Sequence, residues 1–284
     1  MSSHGWRELY RVIRREAQRL PKPRRAFAYS DALIGALLFW AVWHDRPQCW
    51  AVARSSFNGL FRPRRLPSYS EFNRRVRSER LAHLLERVFA AFAPPPSVGF
   101  CFLDARPLPV GACSTDEAAR AGRVYAGFAR GYRLHALVDE NGLVFAWKLT
   151  AMNVAESRVA LELLPHAPAG RTVLADSNYD RGPLYDQAAQ HGVTLLARPR
   201  RGAGRGHRQP NPLRLAAHAI WNGAPREYAL RRNAVERAFG WQSVFGGGLS
   251  PLPAWVRTPP RVTRWVLCKL TINHVRRKDK QHVA

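Results

Sequence analysis

The chain has 284 residues, of which 46% are hydrophobic and 23% are charged. That length and composition predict a globular protein of one or two domains and exclude a chain that is disordered throughout. Its 45 Lys and Arg residues outnumber its 20 Asp and Glu residues, and the resulting formal charge of +25 predicts a polyanionic partner.

Cysteines and apolar runs exclude further classes of protein. The four cysteines form no CxxC pair, which argues against a structural zinc site and against a disulfide framework. The N-terminus lacks the apolar core of a signal peptide, and the longest apolar run, residues 32–43, is too short to cross a bilayer. We therefore expect a cytoplasmic protein that is associated with DNA and not with a membrane.

The first 93 residues predict a helical domain. Apolar residues at helical spacing indicate a basic amphipathic helix over residues 7–20. A buried helix is predicted to begin at Ser30 or Asp31, either of which could cap it, and to end at Trp43.

A short helix in this domain is the predicted DNA reader. Ser68 followed three residues later by Glu71 is the pattern of a capping box, and the helix after it carries Arg74 and Arg75. Together with a partner helix over residues 81–92, it predicts a helix-turn-helix that contacts DNA. The alternative is a helical cap whose arginines are only solvated.

The segment Ala93-Pro94-Pro95-Pro96-Ser97 predicts a domain boundary, because three prolines stiffen the chain and prevent a helix from continuing. We assign residues 1–93 to the helical, DNA-binding domain and residues 98–284 to an α/β catalytic domain. Asp180 is predicted to cap a helix that begins at residue 182. The predicted strands lie near residues 98–104, 132–139, 143–150, 172–175 and 193–197, and the predicted helices cover residues 155–164 and 182–191.

The last part of the chain combines a basic loop with a helical tail. Residues 198–214 are rich in Gly, Pro and Arg, which excludes a regular element there. We predict a cationic loop that binds phosphates through Arg200 and Arg201 without reading sequence. The alternative is a surface loop without a role. Residues 262–275 predict a helix, which we assign to the catalytic domain.

Three acidic residues carry most of the chemical information. Asp104 follows one buried strand, Asp176 follows another, and Glu236 lies on a later helix. Taken singly, each fits a turn residue, a helix cap or a solvated helix face. Taken together, two carboxylates at strand ends and a third on a helix are expected to converge at one sheet edge. Converging carboxylate oxygens suit Mg²⁺ or Mn²⁺, and two such ions support phosphodiester chemistry.

Five short motifs, in order, resemble bacterial insertion-sequence transposases with a DDE triad. The resemblance runs from about residue 98 to about residue 245. The motifs are Phe102-Leu103-Asp104-Ala105-Arg106-Pro107, Gly131-Tyr132-Arg133-Leu134-His135, Leu149-Thr150-Ala151-Met152-Asn153-Val154, Leu174-Ala175-Asp176-Ser177-Asn178-Tyr179-Asp180 and Arg232-x-x-x-Glu236-Arg237-Ala238-Phe239.

The resemblance implies a ribonuclease H-like mixed sheet flanked by helices and preceded by a helical N-terminal domain. It implies that Asp104, Asp176 and Glu236 hold two Mg²⁺ or Mn²⁺ ions for metal-dependent DNA cleavage and strand transfer at element ends. Arg232 is expected to support the site or to grip a phosphate, and His135 is expected near the site as a DNA contact. We expect the partners to be transposon ends and target DNA, bound by a homodimer in the bacterial nucleoid.

Two alternatives stay open. The family often has a Lys seven residues after the catalytic Glu, whereas this chain has Ser243 there, followed by Gly246-Gly247-Gly248. That departure motivates a catalytically degenerate or repurposed transposase that acts as a DNA-binding protein. The second alternative is another ribonuclease H-like DNA nuclease, such as a junction resolvase.

Overall fold

A computed structural model describes residues 1–23, 26–93, 99–111, 113–124, 127–200, 211–244, 248–249 and 252–281. The chain divides into two compact units. The helical unit comprises Met1–Ala93, Val244–Leu249 and Pro253–Ala284, and the sheet unit comprises Pro94–Ser243 and Ser250–Leu252.

The α-helices and strands have the following bounds. The helices are α1 (Ser3–Gln18), α2 (Asp31–Trp43), α3 (Tyr69–Val76), α4 (Glu79–Phe92), α5 (Glu156–Leu163), α6 (Gly182–Gln190), α7 (Pro212–Gly223), α8 (Pro225–Val244) and α9 (Pro259–Gln281). The strands are β1 (Phe100–Pro109), β2 (Arg120–Val124), β3 (Gly127–Asp139), β4 (Val144–Ala151), β5 (Thr172–Ala175) and β6 (Thr194–Ala197). No helix in the described part of the chain is both long enough and apolar enough to cross a bilayer.

Serine caps begin helices α1 to α4 of the helical unit. The Ser30 hydroxyl accepts a hydrogen bond from the Leu33 amide and so begins α2, and the Ser68 hydroxyl accepts one from the Glu71 amide and begins α3. The Glu71 carboxylate binds Arg74 and does not turn back to the cap. The predicted capping box is therefore formed only by its serine half.

The core of the helical unit is aromatic. Trp6 on α1 lies edge-on to Trp40 on α2, with ring centroids 4.9 Å apart, and Phe61 completes the cluster. Helix α2 is buried on almost all sides, because α1, α4 and α9 all pack against it. Burial of this many large apolar side chains is the main source of stability for such a unit.

Helix α9 packs in a different unit from the one that we predicted. We assigned the tail to the catalytic domain, but α9 lies in the helical unit, where it packs against α1, α2 and α4. The physical reason is its apolar face: Val262, Val266 and Leu270 are completely buried.

The sheet unit is built on a six-stranded mixed sheet with the order β2-β3-β1-β5-β6, in which β4 also pairs with β3. Strands β1, β5 and β6 are parallel, whereas β3 runs antiparallel to β1, β2 and β4. Helix α5 packs against β3 and β4, and helices α6 and α7 pack against β6. The predicted mixed α/β sheet flanked by helices and preceded by a helical region is confirmed.

Strand β1 is longer than its apolar run predicts. It continues past Asp104 to Pro109, because β3 pairs with it as far as Gly131. Gly131 permits this approach, since a Cβ atom there would lie 2.3 Å from the carbonyl oxygen of Leu108. The sequence analysis also missed β2, whose exposed and polar residues lack an apolar alternation.

Candidate active site

Parallel pairing of β1 with β5 brings two of the predicted carboxylates together. The last paired residues are Leu103 and Ala175, and each is followed directly by an aspartate, Asp104 or Asp176. Neighbouring strands lie about 4.8 Å apart, and residues at the same level of a parallel pair point to the same face. Asp104 is therefore not at the end of its own strand, as we predicted, but at the level where its partner strand ends.

The Asp104 carboxyl group is held in an environment that disfavours its charge. Burial raises its pKa to about 7, and the nearby carboxylates of Asp176 and Glu156 act in the same direction. Two contacts oppose this rise in pKa: Oδ1 accepts a hydrogen bond of 2.8 Å from the Ala105 amide, and a guanidinium nitrogen of Arg232 lies 3.6 Å from Oδ2. Desolvation prevails over both contacts.

The backbone immediately after β5 orients the Asp176 carboxylate. Oδ1 accepts a hydrogen bond of 2.8 Å from the Asn178 amide, which makes Asp176 the cap of a short 3₁₀ turn over Ser177–Tyr179. The side-chain amide of Asn178 lies 3.3 Å from Oδ2. Asn178 thus contacts both oxygens of the second predicted aspartate.

Helix α8 brings the third predicted carboxylate near the first one through an arginine. Arg232 lies one turn before Glu236, and its guanidinium is 3.1 Å from a Glu236 oxygen as well as 3.6 Å from Asp104. The Arg106 guanidinium on β1 donates to the carbonyl of Phe239, which ties α8 to the sheet. The Glu236 side chain is 60% exposed. Arg232 therefore bridges Asp104 and Glu236.

Sequence reasoning missed a fourth carboxylate at this edge. Glu156, in the first turn of α5, forms an ion pair of 2.8 Å with Arg133 on β3 and lies 3.4 Å from the Asn178 side-chain amide. Burial raises the pKa of Glu156, and Asp176 adds to that rise while Arg133 opposes it. The sequence signal that could have identified Glu156 is its position three residues after Asn153, which lies in the turn that joins β4 to α5.

A buried hydroxyl belongs to the same cluster. Tyr179 is completely buried, and its hydroxyl oxygen has no hydrogen-bond partner among the described residues. Burial raises its pKa, and the carboxylates of Glu156, Asp104 and Asp176 reinforce the effect. A phenol that stays protonated beside three carboxylates is available to donate a hydrogen bond.

The predicted DNA contacts lie in very different environments. Arg74 is exposed and paired with Glu71, whereas Arg75 is buried, with its guanidinium 2.6 Å from Asp31. His135 is also buried, hydrogen-bonded to the Thr150 hydroxyl, and burial lowers its pKa to about 3. A buried, paired arginine and a buried neutral histidine cannot reach a phosphate, so neither prediction of a DNA contact fits the structure.

Asp180 holds the start of the basic loop and does not cap α6 as predicted. The Arg200 amide donates to Asp180, which also binds the guanidinium of Arg214 through both oxygens and contacts His218. Burial by itself would raise the pKa of Asp180, but the hydrogen bonds from Arg214, the Arg200 amide and His218 hold that pKa well below the usual range. The predicted cap of α6 is wrong: its N-terminal flank has no side-chain cap. Arg201 lies outside the described residues. The predicted loop over residues 198–214 is too long at its end, because α7 begins at Pro212 with Asn211 as its cap.

The donor chemistry at this edge suits a hard divalent cation, because all candidate ligands are carboxylate oxygens. Within the described ranges, however, no three His, Cys, Asp or Glu side chains lie close enough to hold an ion as they stand. Arg232 is the cation that lies between Asp104 and Glu236. The case for a metal at this edge therefore rests on the chemical type of the ligands and on their position in the sheet.

A mixed sheet with this strand order, and with carboxylates just after the last paired residues of β1 and β5, defines a ribonuclease H-like domain. The family model for the transposase DDE domain matches residues 101–253. That match covers more than half of the chain, and the chain belongs to the transposase DDE domain family. A search of the curated proteins and a search of the solved structures found no match.

Proposed function

We propose that this protein is the transposase of an insertion sequence, and that it cleaves DNA at the element ends and joins the freed ends to target DNA. Membership of the transposase DDE family makes DNA the substrate class. The proposed catalytic residues are Asp104, Asp176 and Glu236. We further propose that the protein acts as a homodimer on DNA in the cytoplasm, at the nucleoid.

One observation carries the proposal: Arg232 contacts both Asp104 and Glu236, while Asp176 follows the strand that pairs with the strand of Asp104. These contacts support a site in which three carboxylates that are far apart in the sequence act together. The sequence motifs select the same three residues.

Asp104, Asp176 and Glu236 would hold two Mg²⁺ or Mn²⁺ ions. Such ions supply activation of an attacking water or 3′-hydroxyl and stabilisation of the leaving oxygen. The surrounding side chains prepare the carboxylates for that role. Asn178 orients Asp176 through both of its oxygens, and Arg106 fixes α8, so that Glu236 stays near the sheet.

Arg232 has a second proposed role. Its guanidinium lies beside Asp104 and Glu236 and offsets part of their charge in the metal-free protein. An arginine in this position is also suited to bind a phosphate oxygen, because its planar donors match phosphate geometry. We propose that Arg232 binds a phosphate of the DNA once cations neutralise the carboxylates.

The test separates chemistry from DNA binding. Asp176→Asn keeps the size of the side chain but removes the charge that would hold a cation. We expect it to abolish cleavage of a plasmid that carries the gene with its native flanking DNA, while affinity for that DNA in chelator stays near the wild-type value. Cleavage at the wild-type rate would exclude Asp176 as a ligand.

The alternatives predict different results in the same assay. A wild-type protein that binds this DNA but cuts it with neither Mg²⁺ nor Mn²⁺ would favour the repurposed DNA-binding protein. Cleavage of four-way junctions in preference to the flanking DNA would favour a junction resolvase. Terminal inverted repeats on either side of the gene would favour the transposase. Residues 245–247, which in part motivated the first alternative, lie outside the described residues.

A further inference from the structure

The helical unit has a cationic groove that sequence analysis did not select. Its first wall is the exposed face of α1, where Arg7, Arg11 and Arg14 recur at helical spacing. Its second wall is the segment that carries Arg62, Arg64 and Arg65, all of them exposed. We call these six residues and the space between them the arginine groove.

The two walls border connected space. A cavity of about 610 Å³ is lined by Arg7, Tyr10 and the three arginines of the second wall. A neighbouring cavity of about 380 Å³ is lined by Arg7 and Tyr10 again, together with Arg11 and Arg14. Because two residues line both cavities, the groove continues along α1. From Arg7 to Arg14 the helix rises by about 10 Å.

Side chains of the helical unit hold the backbone of the second wall in place. Arg54 donates through both terminal nitrogens to the carbonyls of Pro63 and Arg64, and the Tyr29 hydroxyl donates to the carbonyl of Leu66. These bonds satisfy the backbone with groups of the helical unit itself. The arginine side chains of this wall are therefore presented from a fixed backbone, which reduces the entropy lost on binding.

The floor of the groove is made of aromatic rings that already have partners. The Tyr10 ring stacks on Trp6 and lies 5.7 Å from the centroid of Phe61. Rings that are engaged in this way form a rigid surface. The groove therefore offers charge along a line on a rigid floor.

The six arginines of the groove differ from those of α3 in their charge partners. Within the described ranges, no carboxylate forms an ion pair with any of the six. The acidic residues of α1 are bound elsewhere: Glu8 pairs with Lys278, and the buried Glu16 pairs with Arg87 and other arginines. By contrast, Arg74 on α3 is paired with Glu71, and Arg75 is buried against Asp31.

We propose that the arginine groove binds the phosphate backbone of double-stranded DNA, and that it supplies the DNA affinity that the sequence had assigned to α3. Duplex DNA carries a negative charge about every 1.7 Å along its axis, so a groove of this length meets several phosphates. Each guanidinium group can donate two hydrogen bonds to the oxygens of one phosphate, so arginines suit this wall better than lysines would. This inference rests on the proposed function, since it names the surface that holds the substrate.

The experiment measures binding of the full-length protein to a random-sequence duplex of about 30 base pairs, in chelator, across a salt series. The test variant is Arg11→Ala with Arg14→Ala, because alanine maintains the helix. The matched control is Arg74→Ala with Arg77→Ala, which removes the same charge from α3 and the turn after it. A second test variant, Arg64→Ala with Arg65→Ala, examines the other wall independently of α1.

We expect each test variant to flatten the log–log salt dependence by about 1.8, because each lost phosphate contact contributes about 0.9. Affinity should fall on the order of tenfold for each contact at 0.1 M salt. The control should change the slope little, and Arg11→Lys with Arg14→Lys should keep most of it. Unchanged melting temperatures will show that the variants remain folded.

Several outcomes would overturn the proposal. Wild-type slopes in both test variants would mean that the groove does not contact DNA, and an equal loss in the control would reduce the effect to net charge. Tighter binding to duplex RNA, lost in the same variants, would assign the groove to RNA. Failure here is distinguishable from failure of the proposed function, because this assay needs no divalent cation and Asp176→Asn should bind normally in it.

Discussion

Replacement of Asp104 by asparagine should make the metal-free protein more stable while it removes a proposed metal ligand. Burial raises the pKa of the Asp104 carboxyl to about 7 from its ordinary value of 3.8, even though Arg232 and the Ala105 amide favour its charged form. The folded state therefore binds a proton at this site more tightly than the unfolded state does. Asparagine has a similar shape and carries no charge at any pH.

The size and sign of the effect follow from this difference in pKa. Below pH 3.8 the carboxyl group is protonated in both states, and between pH 3.8 and about 7 the stability of the wild-type protein falls as pH rises. One pKa unit corresponds to about 1.4 kcal/mol, so a difference of about three units amounts to roughly 4 kcal/mol. Asp104→Asn should recover a stabilisation of that order at pH 8 and little of it at pH 4.

The assay is urea denaturation in chelator at pH 5 and pH 8, with hydrogen exchange of peptides from β1 to identify the transition of the sheet unit. With Mg²⁺ or Mn²⁺ added, the wild-type protein should gain stability, by about 2.7 kcal/mol at a hundredfold excess over the dissociation constant, and the variant should gain little. Asp180→Asn is the opposite-sign control. The donors around Asp180 hold its pKa low, so its contribution to stability is fully present above the unfolded pKa and is lost only as pH falls below it. Asp180→Asn should therefore destabilise the protein equally at pH 5 and pH 8.

A difference in stability between wild type and Asp104→Asn that is the same at pH 5 and pH 8 would refute this reasoning. So would a variant that is less stable than the wild type at pH 8 in chelator. Either result would mean that the Asp104 carboxyl is better solvated, or better paired, than its contacts indicate.

Two other substitutions examine the same cluster. Glu156→Gln should lower the pKa of Asp104, because it removes one of the two nearby charges that raise that pKa; side-chain carboxyl NMR measures this, and an unchanged pKa would contradict the proximity of the two groups. Tyr179→Phe should leave the free energy of unfolding unchanged or raise it by up to about 1 kcal/mol, because it removes a buried hydroxyl that has no partner among the described residues. The melting temperature should stay the same or rise slightly. A loss of more than about 1 kcal/mol would show that this hydroxyl is hydrogen-bonded.

The parallel core of the sheet could be predicted because its strands are short apolar runs. Residues 172–175 were predicted as a strand with these bounds, and β5 spans Thr172–Ala175. The bounds of β1 could not be predicted in the same way, since its second half is held by pairing with β3 and contains Arg106 and Pro107. Local composition reveals a buried strand, but not how far a distant partner extends it.

The candidate site divides along the same line. The neighbouring positions of Asp104 and Asp176 could be predicted because each aspartate follows an apolar run, although β1 continues past Asp104. The contact of Arg232 with Glu236 is an ordinary interaction across one helical turn. Its contact with Asp104, and the position of Glu156, depend on how α8 and α5 meet the sheet, which no local pattern encodes. For the same reason the cationic face of α1 was recognised, but its opposing wall was not.

The contacts also explain why DNA binding and DNA chemistry should be separable in this protein. The carboxylates at the sheet edge repel phosphates, and Asp176 and Glu156 add to the rise in the pKa of Asp104 that burial causes. Arg232 and Arg133 compensate for only part of that negative charge, so electrostatic repulsion should keep a phosphodiester away from this edge until cations are present. The arginine groove has no such requirement, because its arginines face no carboxylates within the described ranges. DNA should therefore bind with a strong salt dependence and without metal, whereas cleavage should require both the cations and the three carboxylates.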